Sequence, residues 1–319
     1  MRVPTPASGA TCCAVALCLL SGCASPPPPP SPAPLPRPLA EQGESLRRQG
    51  DRSFMRGDLT RAAEEYEAAR RMAESLDDTQ GLIVAINDVG RVALRRGDVP
   101  RAVSSHERAV ALAQQRGEPD LLIASLTDLA TAEHQSGALQ EAEHRYEQAL
   151  DLAQQRGDRS AEATIRNNLG LIRQTKGDVE QAAQLFRQAL ALNQALGNLE
   201  SEASNHVNLG MLAEARHEYD AAEREYERAL ELDKTAEQRM EIAADLLRLG
   251  KIADRRGFPD RGQTYSERAY QSYLAQDAFA EARSALSQAV ACAKKLERAG
   301  DIARLERELT RLTALHPAR

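Results

Sequence analysis

Tryptophan is absent from this sequence, and aromatic residues make up only 3% of its 319 positions. A core so poor in rings must be filled by alanine and leucine, which suits closely packed helices. Basic charge is also lacking: 41 lysines and arginines face 47 aspartates and glutamates, a net charge of −6. That balance excludes nucleic acid, which needs a basic footprint, and a polybasic contact with a membrane surface. Of five cysteines, Cys12, Cys13, Cys18 and Cys23 fall at the very start. Cys292 alone remains, so the rest of the chain can build neither a disulfide framework nor a cysteine zinc site. It lies in the alanine-rich stretch LSQAVACAKKL and reads as a small core residue. The six histidines show no HxxxH or HExxH spacing, and there is no GxSxG elbow or glycine-rich phosphate loop. No catalytic residue, metal site or cofactor is therefore expected. No apolar run reaches the ~20 residues of a membrane-spanning helix.

What is there begins with ATCCAVALCLLSGC. Arg2, the short apolar run and the small residues Ser21 and Gly22 before Cys23 resemble a secretory signal peptide ending in the lipobox of bacterial lipoproteins. The resemblance implies a signal peptide over 1–22 and a lipidated Cys23 at the mature N-terminus. An ordinary signal, with Cys23 incidental, is the alternative. A triacylated cysteine would anchor the chain firmly, since each buried CH₂ contributes roughly 0.8 kcal/mol. Ala24, where an aspartate is absent, favours sorting to the outer membrane by the same resemblance, on its periplasmic face. Residues 23–42 then form a spacer rich in proline, which fixes φ and lacks the amide donor. At ~3.1 Å per residue of polyproline II, the segment PPPPPSPAPLPRP spans roughly 40 Å.

Beyond the spacer the sequence repeats every forty residues. RGDLTRAAEEYEAA from Arg56, RGDVPRAVSSHERA from Arg96 and KGDVEQAAQLFRQA from Lys176 are three of six copies over 43–276. Gly50, Gly90, Ala130, Gly170, Gly210 and Gly250 share one register; Ala62, Ala102, Ala142, Ala182 and Ala222 share another. Apolar residues at i, i+3, i+4 and i+7 make each unit two amphipathic helices, A and B. Gly-Asp or Gly-Ala pairs supply the left-handed residue that ends helix A, and the acid after the glycine can cap helix B. A glycine inside helix A costs about 1 kcal/mol in propensity, so its recurrence marks close approach of a neighbouring helix.

This pattern resembles the tetratricopeptide repeat. Leu169-Gly170 and Leu209-Gly210 match its Leu-Gly, while Ala62, Tyr66 and Ala69 match its small, aromatic, small signature, as do Ala182, Phe186 and Ala189. The units carry six residues more than the common 34-residue form and lack its closing proline, like the extended repeats of LGN/Pins-type scaffolds and kinesin light chain. The resemblance implies an all-α, right-handed superhelical solenoid of antiparallel helix pairs, with residues 277–319 as an irregular capping pair. It also implies a concave groove lined by the A helices.

Two residues before the helix A glycine stand Arg48, Asp88, Asp128, Asn168, Asn208 and Arg248, with Asn87 and Asn167 one place earlier. In long-repeat relatives asparagines in this row bind the backbone of an extended peptide, and a carboxamide offers the donor and acceptor that a peptide unit needs. Arg91, Arg95, Lys251 and Arg255 flank the row and would select acidic side chains. The competing reading is a polar, solvated helix face. The function expected is an outer-membrane lipoprotein scaffold that binds a peptide or protein partner in the cell envelope. Alternatives are a pilotin-like assembly factor for a secretin or pilus system, or an envelope enzyme or small-molecule-binding protein.

Overall fold

The structure is a computed structural model that describes residues 37–316. Cys23, the signal and most of the proline run lie outside the described residues. Fourteen helices are found among the described residues, in antiparallel pairs. They are α1 (Arg37–Met55) with α2 (Leu59–Ser75), α3 (Thr79–Arg95) with α4 (Val99–Arg116), and α5 (Pro119–Ser136) with α6 (Leu139–Arg156). Next come α7 (Arg159–Thr175) with α8 (Val179–Leu196), and α9 (Leu199–Ala215) with α10 (Tyr219–Thr235). The last are α11 (Arg239–Arg255) with α12 (Pro259–Leu274), and α13 (Phe279–Lys295) with α14 (Ala299–Leu315). Two boundaries differ from the sequence reading. Helix α1 starts at Arg37, inside the expected spacer, and the last pair is a regular seventh unit in register with the others.

Each turn uses one device. After α1, Gly57 takes φ 77°, the Asp58 amide donates back to Ser53 O at 2.9 Å, and the Gly57 amide donates to Phe54 O at 3.0 Å. Asp58 then caps α2, its Oδ1 accepting from the Arg61 amide at 3.1 Å. One residue thus closes a helix and opens the next. Asp98 does the same, whereas Asp178 makes no such side-chain bond, so the expected capping holds at some turns only. Left-handed residues recur every twenty positions: 57, 77, 97, 117, and so on to 297. Glycine fills eight of these; Asp77, His217, Glu237, Asp277 and Glu297 fill the other five.

In the first, second, fourth and fifth pairs, a helix B ring lies over the helix A glycine sixteen residues earlier. A Cβ on Gly50 would come within 2.5 Å of Tyr66, on Gly170 within 2.5 Å of Phe186, and on Gly210 within 2.6 Å of Tyr226. His106 takes this place over Gly90, fully buried, as a packing residue. The register alanines Ala62, Ala102, Ala142, Ala182 and Ala222 are fully buried as expected. Cys292 is fully buried as well, with its thiol pushed up to about 11 by burial.

A left-handed backbone costs a non-glycine residue roughly 1–2 kcal/mol. Exposed Glu237, at φ 57°, makes no side-chain hydrogen bond or ion pair among the described residues. Glu237→Gly is expected to stabilise the protein by about 1 kcal/mol, with Gly117→Ala destabilising by at least as much. Urea unfolding of both variants checks this; a loss of stability on adding the glycine would contradict the turn geometry.

Candidate functional site

Successive A helices touch one another, α1 with α3, α3 with α5, α5 with α7, α7 with α9 and α11 with α13, while no two successive B helices make comparable contact. The A helices therefore form the inner, shorter face of the stack, and the B helices its outer face. Along each A helix the inward stripe runs at i, i+4, i+7 and i+11, for example Thr164, Asn168, Leu171 and Thr175. Leu171 is half-buried and Met211, in the next unit, is exposed, so the middle of the groove is apolar. Its ends are charged, at Arg48 with its ion pair to Glu44 (3.2 Å) and at exposed Lys251.

The candidate residues divide by what they touch. Asn87 is buried in the junction between the second and third pairs, donating to Ser125 Oγ at 2.8 Å and meeting His106 Nδ1 at 3.1 Å. It has nothing to offer a ligand, which corrects the expectation. Asp88 is only 3% exposed and accepts from Arg91 at 3.1 Å, and Arg91 also bridges to Asp128 at 2.9 Å. Arg95 lies over the Phe54 ring at 5.3 Å, and Arg255 pairs with Glu214 at 2.5 Å. Arg91 and Arg255 are thus tied to acids of the protein itself, leaving Arg95, stacked on Phe54, and Lys251 as the flanking cations without an ion pair among the described residues.

In the fourth and fifth pairs the asparagines form a network. Asn167 Oδ1 accepts from Asn205 at 2.9 Å and from Asn208 at 2.8 Å, and its amide donates to Asn168 Oδ1 at 3.3 Å. Asn167 is therefore committed to the junction. Asn168 and Asn208 are partly exposed on the inner face. Asn168 adjoins the Tyr146 hydroxyl and keeps a second N–H; Asn208 Oδ1 accepts from no described donor. The pair thus presents a free N–H from each amide and the free Asn208 Oδ1 acceptor, groups that complement a peptide unit.

Two cavities open on this face. One of about 710 Å³, at the first junction, is bordered by Met72, Leu76, Val84 and Leu121. The other, of about 330 Å³, lies among α9, α10 and α11 and is bordered by Asn208, Asp233 and Arg248. Arg248 donates to Asp245 at 2.7 Å. Sequence reasoning missed the buried polar residues Asn193, Asn205, Asp233 and Asp245. Their signal was register: the same places in earlier units hold Ala73, Ala113 and Ala153, or Ala85 and Ile165. No cluster of metal-ligating side chains, and no helix long and apolar enough to cross a membrane, occurs among the described residues.

A tetratricopeptide-repeat family model matches residues 82–155, 120–195 and 161–235. The chain carries tetratricopeptide repeats. Among solved structures, BtubC (BKLC) from P. vanneervenii is 24% identical, with a TM-score of 0.58 over 75% of this chain and 92% of that one. The tetratricopeptide sensor-bearing STAND ATPase from Pyrococcus horikoshii superposes with a TM-score of 0.70 at 16% identity, over 86% of this chain and 42% of that one. A Rap conjugation regulator of plasmid pLS20, in complex with the Phr* peptide, gives 0.59 at 18% identity, over 88% of this chain and 78% of that one. These likenesses establish the repeat fold. No curated protein sequence matches.

Burial pushes the Asp88 carboxyl up to about 6, against the opposing pull of Arg91. A folded pKa above the unfolded value of about 3.9 gives stability that is present at low pH and lost as pH rises through 6. Relative to Asp88→Asn, wild type should lose up to about 3 kcal/mol between pH 4 and pH 7, at about 1.4 kcal/mol per unit. Urea unfolding across that range checks it; a constant difference would mean that Asp88 titrates normally.

Proposed function

We propose that this protein is a lipid-anchored scaffold that holds an extended segment of a partner protein along the inner groove, without catalysing a reaction. The observation that carries this reading is the Asn168–Asn208 pair, with a free N–H on each amide and a free acceptor on Asn208, beside an apolar floor of Leu171 and Met211. A carboxamide recognises backbone whatever the sequence, and the apolar floor rewards side-chain burial. The neighbour solved with a Phr* peptide shows a protein of related fold in complex with a peptide. The LSGC motif and the proline-rich run after it support an anchor in the cell envelope, on the periplasmic face of an outer membrane, with the repeats held clear of the lipid.

Each backbone hydrogen bond lost at the groove removes about 0.5–1.5 kcal/mol. Asn168→Ala with Asn208→Ala should weaken capture of the partner, identified first by crosslinking in native membranes, about tenfold or more with melting unchanged. The control is Arg187→Ala with Glu227→Ala, two exposed helix B side chains without polar contacts among the described residues. Undiminished binding by the asparagine double would place the interface elsewhere. For the anchor, Cys23→Ser should abolish incorporation of an alkyne fatty acid and release the protein from membranes. Equal labelling of both proteins would remove the lipoprotein reading.

A further inference from the structure

The fourth and fifth junctions along the inner face differ in two buried side chains. Between the fourth and fifth pairs, Asn193 is 4% exposed and Asn205 is 1% exposed, and Asn193 Nδ2 donates to Asn205 Oδ1 at 2.7 Å. Asn205 passes its own donor to Asn167 at 2.9 Å. Carboxamides carry both donors and acceptors, so this junction satisfies itself. Forty residues on, the same two places hold Asp233, 3% exposed, and Asp245, fully buried, with their carboxyls within hydrogen-bonding reach.

Two ionised carboxylates offer only acceptors, so the junction has no donor of its own other than a shared proton. Arg248 supplies one bond, to Asp245 Oδ1 at 2.7 Å. The other oxygen, Asp245 Oδ2, is buried without a partner. No donor among the described residues reaches the Asp233 carboxyl, and Asp233 borders the 330 Å³ cavity. Glu200 and Glu241 stand on the same rim, and the Gln238 amide is already taken by Glu200. Four carboxyls therefore surround one guanidinium at a site that opens onto the groove beside Asn208.

We propose that this cavity receives the guanidinium of an arginine from the peptide that occupies the groove, with Asp233 as its principal acceptor. The inference rests on the peptide-binding reading above. A guanidinium suits the place because its planar fork of donors can serve two acceptors at once. Burial pushes both aspartates up, so the empty pair binds a proton more readily than a free carboxylate does, and the arriving cation competes with that proton. The groups that set this exchange are Glu200 of α9, Asp233 of α10, Glu241, Asp245 and Arg248 of α11, and the Tyr273 phenol of α12.

The test compares two capped pentapeptides, Ala-Ala-Arg-Ala-Ala and the same peptide with neutral citrulline in place of arginine. Each is titrated calorimetrically at pH 7 into the detergent-solubilised full chain, in two buffers of different ionisation heat. The arginine peptide should bind at least tenfold more tightly than its citrulline counterpart and release up to one proton. Asp233→Asn with Asp245→Asn rewrites the junction as its asparagine neighbour and should erase the preference without lowering the melting temperature. Equal binding of both peptides to wild type, or binding of neither, overturns the inference and leaves the asparagine-row test of the groove standing. A preference that survives in the double variant overturns it too, by placing the cation elsewhere.

Discussion

The seating of one ring on one missing Cβ, repeated every forty residues, is the contact on which the stack depends. Tyr66 on Gly50, Phe186 on Gly170 and Tyr226 on Gly210 set how closely the two helices of a pair approach. Three of the chain's eleven tyrosines and phenylalanines lie at these contacts. In the third unit Ala130 and Tyr146 occupy the same places and both stay buried. In the sixth the ring is replaced by Ser266, and the helices close further: a Cβ on Gly250 would meet Ser266 Oγ at 2.5 Å and the Gly262 carbonyl at 3.2 Å. A smaller plug is answered by a shorter distance, since packed interiors leave little empty volume.

This wedge acts within pairs, and the junctions between pairs are held differently. There, helix B of one unit meets the A helix of the next through alanines, buried polar contacts and ion pairs across roughly one repeat. Examples are Arg216 at the end of α9 to Glu180 of α8 at 2.6 Å and Arg256 at the end of α11 to Asp220 of α10 at 2.5 Å. Exposed pairs of this kind are worth little singly. The junctions can thus change chemistry along the stack, from Asn87 with Ser125 and His106, to the asparagine network, to the aspartate pair, while the pairs stay alike. The groove has one geometry and a different character at each step.

The fold was largely legible in the sequence because its controlling contacts fall in one register: the forty-residue period, the helix A glycine and the helix B ring. The twenty-residue period of left-handed turns was hidden, because five of its thirteen places hold residues other than glycine. The groove was read less well. Asn87 and Asn167 look like groove residues, but one position along a helix is a rotation of about 100°, which turns them toward the next A helix. Asp88 shares its register with Asn168, yet Arg91 beside it closes over the carboxylate, whereas the corresponding place in the fourth unit is Leu171. Asp233 and Asp245 lie on different helices, twelve residues apart, and only packing reveals them as a pair.

The central claim is that the partner lies along the inner face. A photoreactive phenylalanine at Met211, exposed in the middle of the groove, and another at Arg187 on the outer helix face would test it in intact cell envelopes. The account predicts a discrete crosslinked product from position 211 and none from position 187. A product from position 187 with none from 211 would contradict it.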